Sequence, residues 1–441
     1  MAAPILQCFG RGKMKFSVLL PTRNRLDLLQ YAVESVRRQD YHDWEIIISD
    51  NFSDQDVAGY VRMLDDPRIK YYRTESFVPV TDNWNNALDK SSGDYITMLG
   101  DDDCLMKGYF SAIHDLVLQY DSPEFIYHSA FLYAYPKVMS AFPDGFVEPY
   151  GYAEFLRSMS EPFWLDHKRA IKLAKQSMNF RVLFGYNMQF AVISRTLIIA
   201  LQDRGTFFQS PYPDYYAMNV MLLKAKRILV FPKPVVTIGI SPKSFGYYYF
   251  NDAEKSGLNF LKNLPSSEIE ARLQDVLLPG AEYDNSWLFA METIKANYGS
   301  DIDLHVNYCR YRFLQTLHVY ERYCMNKEQT LPELKVLWSS LRGYEKFIYG
   351  YFFSLISFFP KFIRRKTLKR VRAAIGTHPH YKAKRISGRF ENILAVYEQI
   401  DPFDAQQKYD LKLRNSHAHL IKRTIIKILE SFWLRLYNNF F

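Results

Sequence analysis

Three consecutive aspartates, Asp101, Asp102 and Asp103, form the group of side chains with the most evident chemistry in this sequence. They follow the apolar run 95–99 and a glycine, a pattern that predicts a buried strand ending in a turn. Adjacent carboxylates repel one another unless a cation or hydrogen-bond donors relieve them. Because oxygen ligands suit hard cations, the triplet predicts a Mg²⁺ or Mn²⁺ site, and a solvated acidic turn that begins a helix is the alternative.

The residues around the triplet alternate between strand and helix patterns. Apolar runs predict strands at 16–20, 44–49, 68–72, 95–99 and 125–128, and a last strand at 235–238. Between the earlier strands, apolar residues recur at helical spacing, as in Leu29, Ala32 and Val33, and Asn24 and Asp54 are plausible caps of the first two helices. Strands that alternate with helices form βαβ units with right-handed crossovers. The sequence therefore predicts an α/β fold with a Rossmann-like, mostly parallel sheet and helices on both faces.

Polar residues follow several of these strands, at the edge where open α/β sheets bind ligands. Thr22 and Asp50 occupy such positions, together with the aspartate triplet. The chain has neither a GxxxxGKS/T phosphate loop nor a GxGxxG motif, so a bound diphosphate needs another source of positive charge, such as a metal held by the aspartates. Two roles are open for Asp50: accepting hydrogen bonds from a base or ribose, or closing a turn within SDNFSD.

The 441 residues suffice for two domains of ordinary size, and their charge is uneven. Residues 341–441 contain 20 Lys/Arg and 7 Asp/Glu, a net charge of +13, whereas the whole chain carries +9. We predict an N-terminal extension at 1–13, the α/β domain at 14–250 and a helical, basic region at 251–441. The four cysteines lack zinc-site or CxxC spacing, so reduced cytosolic thiols are expected.

The basic region contains a candidate membrane-binding segment at 344–372. About thirteen mostly apolar residues end at Pro360, and seven Lys/Arg follow between 361 and 372. A helix of that length reaches only about 20 Å, less than the ~30 Å of a hydrocarbon core, so an interfacial helix on an anionic membrane surface fits better. Residues 425–441 repeat the pattern. The alternative is a buried helix with a solvated basic face, and no motif supports a nucleic-acid partner.

Taken together, the segments SVLLPTRNR, EIIISDNFSD and GDYITMLGDDD resemble the family 2 glycosyltransferases of the GT-A fold, of the type that builds bacterial surface polysaccharides. The resemblance covers residues 16 to about 117 closely and continues weakly to about 240. It implies an inverting, metal-dependent enzyme that moves a sugar from a nucleotide-diphospho-sugar, with a UDP-sugar favoured, to a hydroxyl of a glycan or lipid-linked acceptor. It also implies a cytoplasmic enzyme that is peripheral on the inner face of the membrane.

The resemblance assigns roles to individual side chains. It implies a Mn²⁺ or Mg²⁺ ion held at the diphosphate by Asp102, with Asp103 as a second metal residue or a supporting one, and it places Asp101 at the ribose. The other residues expected around the nucleotide-sugar are Pro21, Thr22, Arg23, Arg25 and Asp50. Two departures from the family pattern stand out, because Gly100 replaces an aspartate and Trp84 replaces an arginine.

A carboxylate base must deprotonate the acceptor hydroxyl in such a reaction. The family usually places an acidic pair where this chain reads PYPDYY, so the resemblance points to Asp214 as the general base, with Asp203 as the fallback. Alternatively, Asp214 caps the helix that runs to residue 226. Lys243 and His128 are weaker candidates for the site. Lys243 lies in a loop that either closes on the diphosphate or is simply solvated. His128 could approach the acceptor, but a lone histidine is more often structural.

Two other functions remain open from the sequence. A sugar-1-phosphate nucleotidyltransferase would use a similar sheet and metal, but it normally carries a glycine-rich loop after the first strand, and PTRNR has no glycine. A catalytically inactive, transferase-like scaffold in a polysaccharide-assembly complex is the second alternative, and the intact aspartate triplet argues against it.

Overall fold

A ten-stranded sheet lies at the centre of the computed structural model, within the residues that it describes. Those residues are 14–139, 142–150, 153–156, 159–244, 247, 268–357, 368, 371, 376–377 and 385–404. The strands are β1 Phe16–Thr22, β2 Trp44–Asp50, β3 Ile69–Arg73, β4 Tyr95–Met98, β5 Cys104–Leu105, β6 Phe125–Ala134, β7 Phe146–Tyr150, β8 Phe163–Leu165, β9 Ala191–Ser194 and β10 Ile228–Ile240.

Helices connect the strands and continue beyond the sheet. Those between strands are α1 Leu26–Arg37, α2 Val57–Leu64, α3 Val80–Asp89, α4 Tyr109–Gln119, α5 His167–Met178, α6 Arg195–Leu201 and α7 Pro213–Lys224. Those after the last strand are α8 Glu268–Leu273, α9 Glu282–Tyr298, α10 Tyr308–Met325, α11 Lys327–Ser340, α12 Gly343–Ser357 and α13 Ile393–Gln399. The predicted α/β class with a helical C-terminal region is therefore confirmed.

The direction of the strands changes halfway across the sheet. The order is β3-β2-β1-β4-β9-β6-β10-β5, with β7 beside β6 and β8 beside β10. The first four strands are parallel, as predicted, and β6 is parallel to β10. β9 runs antiparallel to both β4 and β6, so the sheet is mixed. Strands β1 and β2 are almost entirely buried, which explains why they read as unbroken apolar runs.

Strand β10 is longer than its sequence pattern indicates. The expected strand began only after the prolines at 232 and 234, since proline removes a ladder hydrogen bond. In the structure, β10 runs through both prolines and keeps its pairing with β6 by register shifts between Phe231, Pro234 and Val236. Bulges of this kind absorb the missing donors and bend the strand. The end of β10 lies against the turn that carries the aspartate triplet, where the backbone N of Gly239 donates to Oδ1 of Asp103 at 2.9 Å.

The predicted caps of α1 and α2 are wrong. Asn24 adopts a left-handed backbone with a φ of 53°, and it exchanges two hydrogen bonds with Asp54: Nδ2 to Oδ2 at 3.1 Å, and backbone N of Asp54 to Oδ1 at 2.7 Å. Helix α1 begins after Arg25 without a side-chain cap, and Asp56 caps α2 by accepting from the backbone N of Gly59. The pair of polar side chains instead ties the loop after β1 to the loop after β2.

Helix α9 packs into the same core as the sheet. Trp287 is fully buried, and its Nε1 donates to the carbonyl oxygen of Ser177 in α5 at 3.0 Å. A second apolar cluster joins α10, α11 and α12 through Leu317, Leu337 and Tyr349. The first helices beyond the sheet are therefore not a separate unit, although the domain boundary predicted at 250 falls outside the described residues and stays a prediction.

The segment 385–404 returns to the sheet from far along the chain. The Oη of Tyr133 donates to the carbonyl oxygen of Phe390 at 2.8 Å, and the Oη of Tyr397 donates to the carbonyl oxygen of Arg38 at 3.0 Å. Helix α13 packs against α1 and β5, directly behind the aspartate triplet. We call the segment 385–404 the strap. No sequence pattern predicts its position, because these contacts join residues that are distant along the chain.

Among the described helices, none is long and apolar enough to cross a membrane. Three predictions concern residues outside the described part of the chain: the extension at 1–13, nearly all of the Lys/Arg-rich run 361–372, and the apolar tail 425–441.

Candidate active site

A cleft of about 650 Å³ opens at the carboxyl edge of the sheet. The residues that line it come from the ends of β1, β4 and β10, from α3 and from the start of α7. Eight of the predicted site residues lie in its wall: Pro21, Thr22, Arg23, Arg25, Asp101, Asp102, Asp103 and Asp214. The structure therefore brings together every predicted site residue except Asp50.

The aspartate triplet occupies a tight turn between β4 and β5. The backbone N of Asp103 donates to the carbonyl oxygen of Gly100 at 3.1 Å, and β5 then pairs antiparallel with β10. The side chains of Asp101, Asp102 and Asp103 are only 4%, 7% and 2% exposed. The alternative of a solvated acidic turn is therefore wrong, since each carboxylate needs a partner inside the protein or in a ligand.

Asp103 is bound by neutral donors from three segments. Its Oδ2 accepts from the backbone N of Gly100 at 2.8 Å and from Nε2 of Gln189 at 2.7 Å, while Oδ1 accepts from the backbone N of Gly239 at 2.9 Å. Burial, followed by the neighbouring carboxylate of Asp102, raises the pKa of Asp103. Three donors use most of its lone pairs, so the geometry favours the supporting role for Asp103 over direct metal ligation.

Asp101 is neutralised by residues from the loop after β1. Its Oδ1 forms an ion pair with Nη1 of Arg25 at 2.8 Å, and its Oδ2 accepts from Oγ1 of Thr22 at 2.8 Å. Both Thr22 and Arg25 thus lie at the predicted nucleotide end of the cleft, and both hold Asp101 in place. The contact between Asp101 and a ribose stays a prediction.

Asp102 is the member of the triplet with the fewest protein contacts. Its Oδ2 accepts from Oγ of Ser241 at 2.7 Å, and no other residue in the described part of the chain donates a hydrogen bond to it, although the charge of Arg25 and the backbone of Asp102 itself also favour the ionised form. No group of three or more His, Cys, Asp and Glu side chains among the described residues could hold a metal by itself. The donor set nevertheless fits a Mg²⁺-type ion, because such ions commonly bind one or two carboxylates together with substrate phosphates and water.

Asp50 does not line the cleft in this structure, and its predicted contact with the nucleotide stays a prediction. Its side chain is fully buried, with Oδ1 accepting from the backbone N of Ser53 at 3.0 Å and Oδ2 from Oη of Tyr71 at 2.7 Å. These contacts agree with the alternative turn-forming role. Asn51 lines the cleft instead, and its side chain pairs with both backbone groups of Val78.

Arg23 lies over an aromatic ring at the cleft. Its guanidinium is 3.5 Å from the ring centroid of Phe77, a stacking contact that fixes the plane of the group. Its Nη1 is buried and has no hydrogen-bond partner among the described residues. An unpaired buried donor in a binding cleft is costly unless a ligand supplies the acceptor. Phe77 was not singled out from the sequence, where it gives no signal beyond a lone aromatic in a loop.

Asp214 lies at the first turn of α7, directly after Pro213. The helix has no side-chain cap, so the capping role considered for Asp214 is wrong. Its Oδ1 accepts from the backbone N of the next residue, Tyr215, at 3.0 Å, and the backbone of Asp214 itself also favours the ionised form. Burial raises the pKa of Asp214 to about 7. A carboxylate at a cleft with a pKa near neutrality has the properties of a general base.

The remaining candidates lie elsewhere or have other partners. Asp203 is exposed in a short 3-10 helix, Gln202–Arg204, and does not line the cleft, so the fallback assignment is wrong. His128 is fully buried with Nδ1 2.9 Å from the carbonyl oxygen of Ser129, and burial lowers its pKa to about 4. The exposed Lys243 forms an ion pair with Asp27 at 3.0 Å near the mouth of the cleft.

A mixed α/β sheet with buried aspartates facing a cleft at its carboxyl edge is the architecture expected of a GT-A glycosyltransferase. Residues 17–143 match the family described as glycosyl transferase family 2. This part of the chain is therefore a family 2 glycosyltransferase domain, which confirms the resemblance read from the three motifs.

Several relatives are similar to part of the chain. A 102-residue segment is 43% identical to GalNAc(5)-diNAcBac-PP-undecaprenol beta-1,3-glucosyltransferase of Campylobacter jejuni, and covers 22% of this chain and 33% of that protein. An 89-residue segment is 40% identical to the putative colanic acid biosynthesis glycosyl transferase WcaA of Escherichia coli, over 20% of this chain and 32% of that protein. The chain thus spans about a third of the length of these relatives.

A solved structure can be aligned over more of the chain. Residues 1–349 of S. aureus TarS, in complex with UDP-GlcNAc, are 16% identical to this chain. The alignment covers 76% of this chain and 92% of the TarS chain, with a TM-score of 0.40.

Gly239 controls how closely β10 approaches the triplet. A Cβ at this position would lie 1.9 Å from the carbonyl oxygen of Asp102, so Gly239→Ala must push the two segments apart. We expect it to lower the free energy of unfolding by about 1–3 kcal/mol, measured by urea denaturation. Gly343→Ala is the matched control, because a Cβ there has nothing within 4 Å, and it should be neutral or slightly stabilising. Equal stability of the two variants would contradict the close approach.

Proposed function

We propose that this protein is an inverting glycosyltransferase that moves a sugar from a nucleotide-diphospho-sugar donor to a hydroxyl of a glycan or lipid-linked acceptor. The observation that carries the proposal is one cleft lined both by a buried aspartate with an uncommitted oxygen, Asp102, and by Asp214, whose pKa is raised to about 7. The family match and the names of the relatives, which include transferases named for undecaprenol-linked substrates, support this reaction class.

The donor end of the cleft is suited to a nucleoside diphosphate. Asp102 would hold a Mn²⁺ or Mg²⁺ ion, which supplies Lewis-acid stabilisation of the charge that develops on the leaving diphosphate. Arg23 offers its unpaired Nη1 as a hydrogen-bond donor to the nucleotide, with its plane fixed by Phe77. Thr22 and Arg25 keep Asp101 paired, so that this carboxylate does not repel the incoming phosphates. We favour a UDP-sugar as the donor.

The acceptor end centres on Asp214. As the acceptor oxygen attacks the anomeric carbon, its proton passes to the carboxylate of Asp214, and the bond between the anomeric carbon and the diphosphate breaks on the opposite face. The configuration of the anomeric carbon is thereby inverted. A base whose pKa lies near the working pH combines a useful ionised fraction with a useful proton affinity, and burial of Asp214 provides such a value.

Two substitutions separate the two ends of the cleft. We expect Asp102→Ala to weaken UDP binding in the presence of Mn²⁺ by at least about tenfold, or ~1.4 kcal/mol, because the protein ligand of the ion is lost. We expect Asp214→Asn to lower sugar transfer by about 10²–10⁴-fold and to leave UDP binding unchanged, because the amide cannot accept the proton. Calorimetric titration with UDP, with and without Mn²⁺, and an assay of UDP release measure the two effects.

The outcomes distinguish the proposal from its rivals. Equal loss of UDP binding in both variants would remove Asp214 from the role of base. Nucleotide binding by the wild-type protein without transfer to any acceptor, and without hydrolysis of the donor, would favour the inactive scaffold. Release of inorganic diphosphate from UTP and a sugar 1-phosphate would favour the nucleotidyltransferase.

The pH dependence of transfer follows from the state of Asp214. The base acts only when it is ionised, so kcat/KM should fall about tenfold per pH unit below the pKa of about 7 and level off above it. The measurement is a pH profile of kcat/KM with a saturating acceptor, with stability monitored at each pH. A profile that is flat from well below to well above neutrality would show that another group, or none, is the base.

We also propose that helix α12 places the protein on an anionic membrane surface. One side of the helix carries three outward-facing aromatic side chains, with Tyr344 38%, Phe347 78% and Tyr351 66% exposed. The opposite side is buried, and Glu345 there forms a double ion pair with Arg312 of α10 at 2.6 and 2.7 Å. The aromatic side is therefore held outward by a rigid attachment.

The positive charge of the sequence that follows α12 favours a membrane surface as the binding partner of this aromatic side. The helix leads directly into 361–372, which contains seven Lys/Arg and no Asp or Glu. Aromatic side chains beside a basic run favour the interface of an anionic bilayer, where each basic residue contributes about 1 kcal/mol. A peripheral position at the inner face of the membrane is where the protein would meet a lipid-linked acceptor.

Flotation with vesicles tests this placement. We expect Phe347→Ser combined with Tyr351→Ser to lower binding to phosphatidylglycerol-containing vesicles by at least about tenfold, because the exposed apolar area that enters the interface is removed. Met63→Ser combined with Leu118→Ser is the matched control, since those side chains are 77% and 60% exposed but lie on α2 and α4. Unchanged flotation of the α12 variant, or equal loss in the control, would overturn the placement.

A further inference from the structure

The wall of the cleft near Asp214 is built mainly from tyrosines. Five of them line the cleft: Tyr150, Tyr186, Tyr212, Tyr215 and Tyr283. They come from β7, from the segment before β9, from α7 and from α9, so the wall is assembled from distant parts of the chain. Four of the five, Tyr186, Tyr212, Tyr215 and Tyr283, are linked by ring contacts. This end of the cleft contrasts with the donor end, where charged side chains predominate.

Tyr186 is the partly exposed ring of this wall, and its orientation is fixed by its neighbours. Its ring meets that of Tyr215 edge to face with centroids 4.8 Å apart, and that of Trp287 with centroids 5.7 Å apart. Tyr283 contributes a further contact at 6.3 Å. Helices α7 and α9 thus hold Tyr186 between them and leave part of the ring facing the cleft. A ring held in this way can receive a ligand with little loss of side-chain entropy.

The next residue, Asn187, carries an unsatisfied acceptor. Its Oδ1 is buried and has no hydrogen-bond partner among the described residues, and the residue lines the cleft. Leaving a buried amide oxygen without a donor costs about 1–3 kcal/mol, and an ordered water or a ligand can supply the missing donor. Because Asn187 lines the cleft, a ligand that presents a hydrogen-bond donor beside the ring of Tyr186 would satisfy this oxygen.

We propose that Tyr186 and Asn187 form the subsite for the acceptor sugar, namely the ring that carries the attacking hydroxyl; this inference rests on the proposed transferase function. A pyranose offers an apolar C–H face, which suits the negative face of an aromatic ring, and hydroxyl donors around its edge, one of which meets Oδ1 of Asn187. An isoprenoid chain would match the ring but offers no donor to Asn187, so the sugar rather than the lipid occupies this place.

The position of the subsite agrees with the role of Asp214. Tyr215, which follows Asp214 in α7, contacts Tyr186 directly, and Tyr186 and Asp214 line the same cleft, so a sugar stacked on Tyr186 can present a hydroxyl towards the proposed base. Tyr283 and Trp287 do not belong to the segment that matches the transferase family, and they act as positioning residues by fixing the ring of Tyr186. Helix α9 thereby acquires a function in acceptor recognition.

Saturation-transfer NMR tests the subsite without relying on turnover. The probes are methyl β-glucoside, methyl β-galactoside and methyl β-N-acetylglucosaminide, each added to the full-length protein with UDP and Mn²⁺. We expect at least one of them to bind the wild type, with the strongest transfer to protons on one face of the ring. Tyr186→Ala should weaken that binding by about tenfold, Asn187→Ala should also weaken it, and Tyr186→Phe should retain it because the ring is kept.

Phe77→Ala is the matched control at the other end of the cleft, where it should weaken UDP binding and leave glycoside binding intact. Unfolding midpoints and calorimetry with UDP show whether each Tyr186 and Asn187 variant is folded and retains its donor site. Glycoside binding unchanged in a folded Tyr186→Ala variant, or no glycoside binding by wild type that binds UDP, would overturn the subsite alone. Failure of the wild type to bind UDP would instead overturn the proposed function.

Discussion

The arrangement of the cleft depends on the hydrogen bonds that hold the buried carboxylate of Asp103. Asp103 is only 2% exposed to solvent. Hydrogen-bond donors of the protein must therefore replace the water molecules that would otherwise hydrate its carboxylate. They come from Gly100 at the end of β4, from Gln189 before β9 and from Gly239 in β10. Three segments distant in sequence are thus joined at one carboxylate. A Cβ at residue 100 would lie 2.5 Å from Oδ2 of Asp103, which explains why a glycine stands where the family often has an aspartate.

Once Asp103 is fixed, the three carboxylates divide into different electrostatic situations. Asp101 has a full counter-charge in Arg25, and Asp103 has neutral donors, so neither needs anything from the cleft. Asp102 accepts one hydrogen bond from another described residue, Ser241, and so has fewer protein donors than either neighbour, although the charge of Arg25 also favours its ionised form. A charge left uncompensated beside a cleft is best satisfied by a cation. This division, rather than the count of aspartates, is the physical argument for Asp102 as the metal residue.

Local patterns sufficed for most of the sheet and for the position of the triplet, because strand and helix periodicity and the motifs lie close together in sequence. They failed where a distant partner decides the outcome. Asp50 does not line the cleft, because its carboxylate accepts a hydrogen bond from the hydroxyl of Tyr71 on a neighbouring strand. Asn24 does not cap α1, because its side chain is hydrogen-bonded to Asp54. Strand β10 passes through two prolines because β6 stabilises it on one side. No local pattern predicts the strap 385–404 or the aromatic contacts of α9, because their partners are also distant along the chain.

The two ends of the cleft differ in how much of them the family-matching segment contains. The residues of the proposed donor end, namely Arg23, Phe77 and the aspartate triplet, lie within residues 17–143. Asp214, Tyr186 and Tyr283, which belong to the proposed acceptor end, all lie beyond that segment. A shared donor end needs the same contacts to nucleotide and metal, whereas an acceptor end must change with each acceptor. A family match confined to the first end is therefore the pattern expected under the proposed division of the cleft, in which the acceptor contacts the tyrosine wall rather than the motifs.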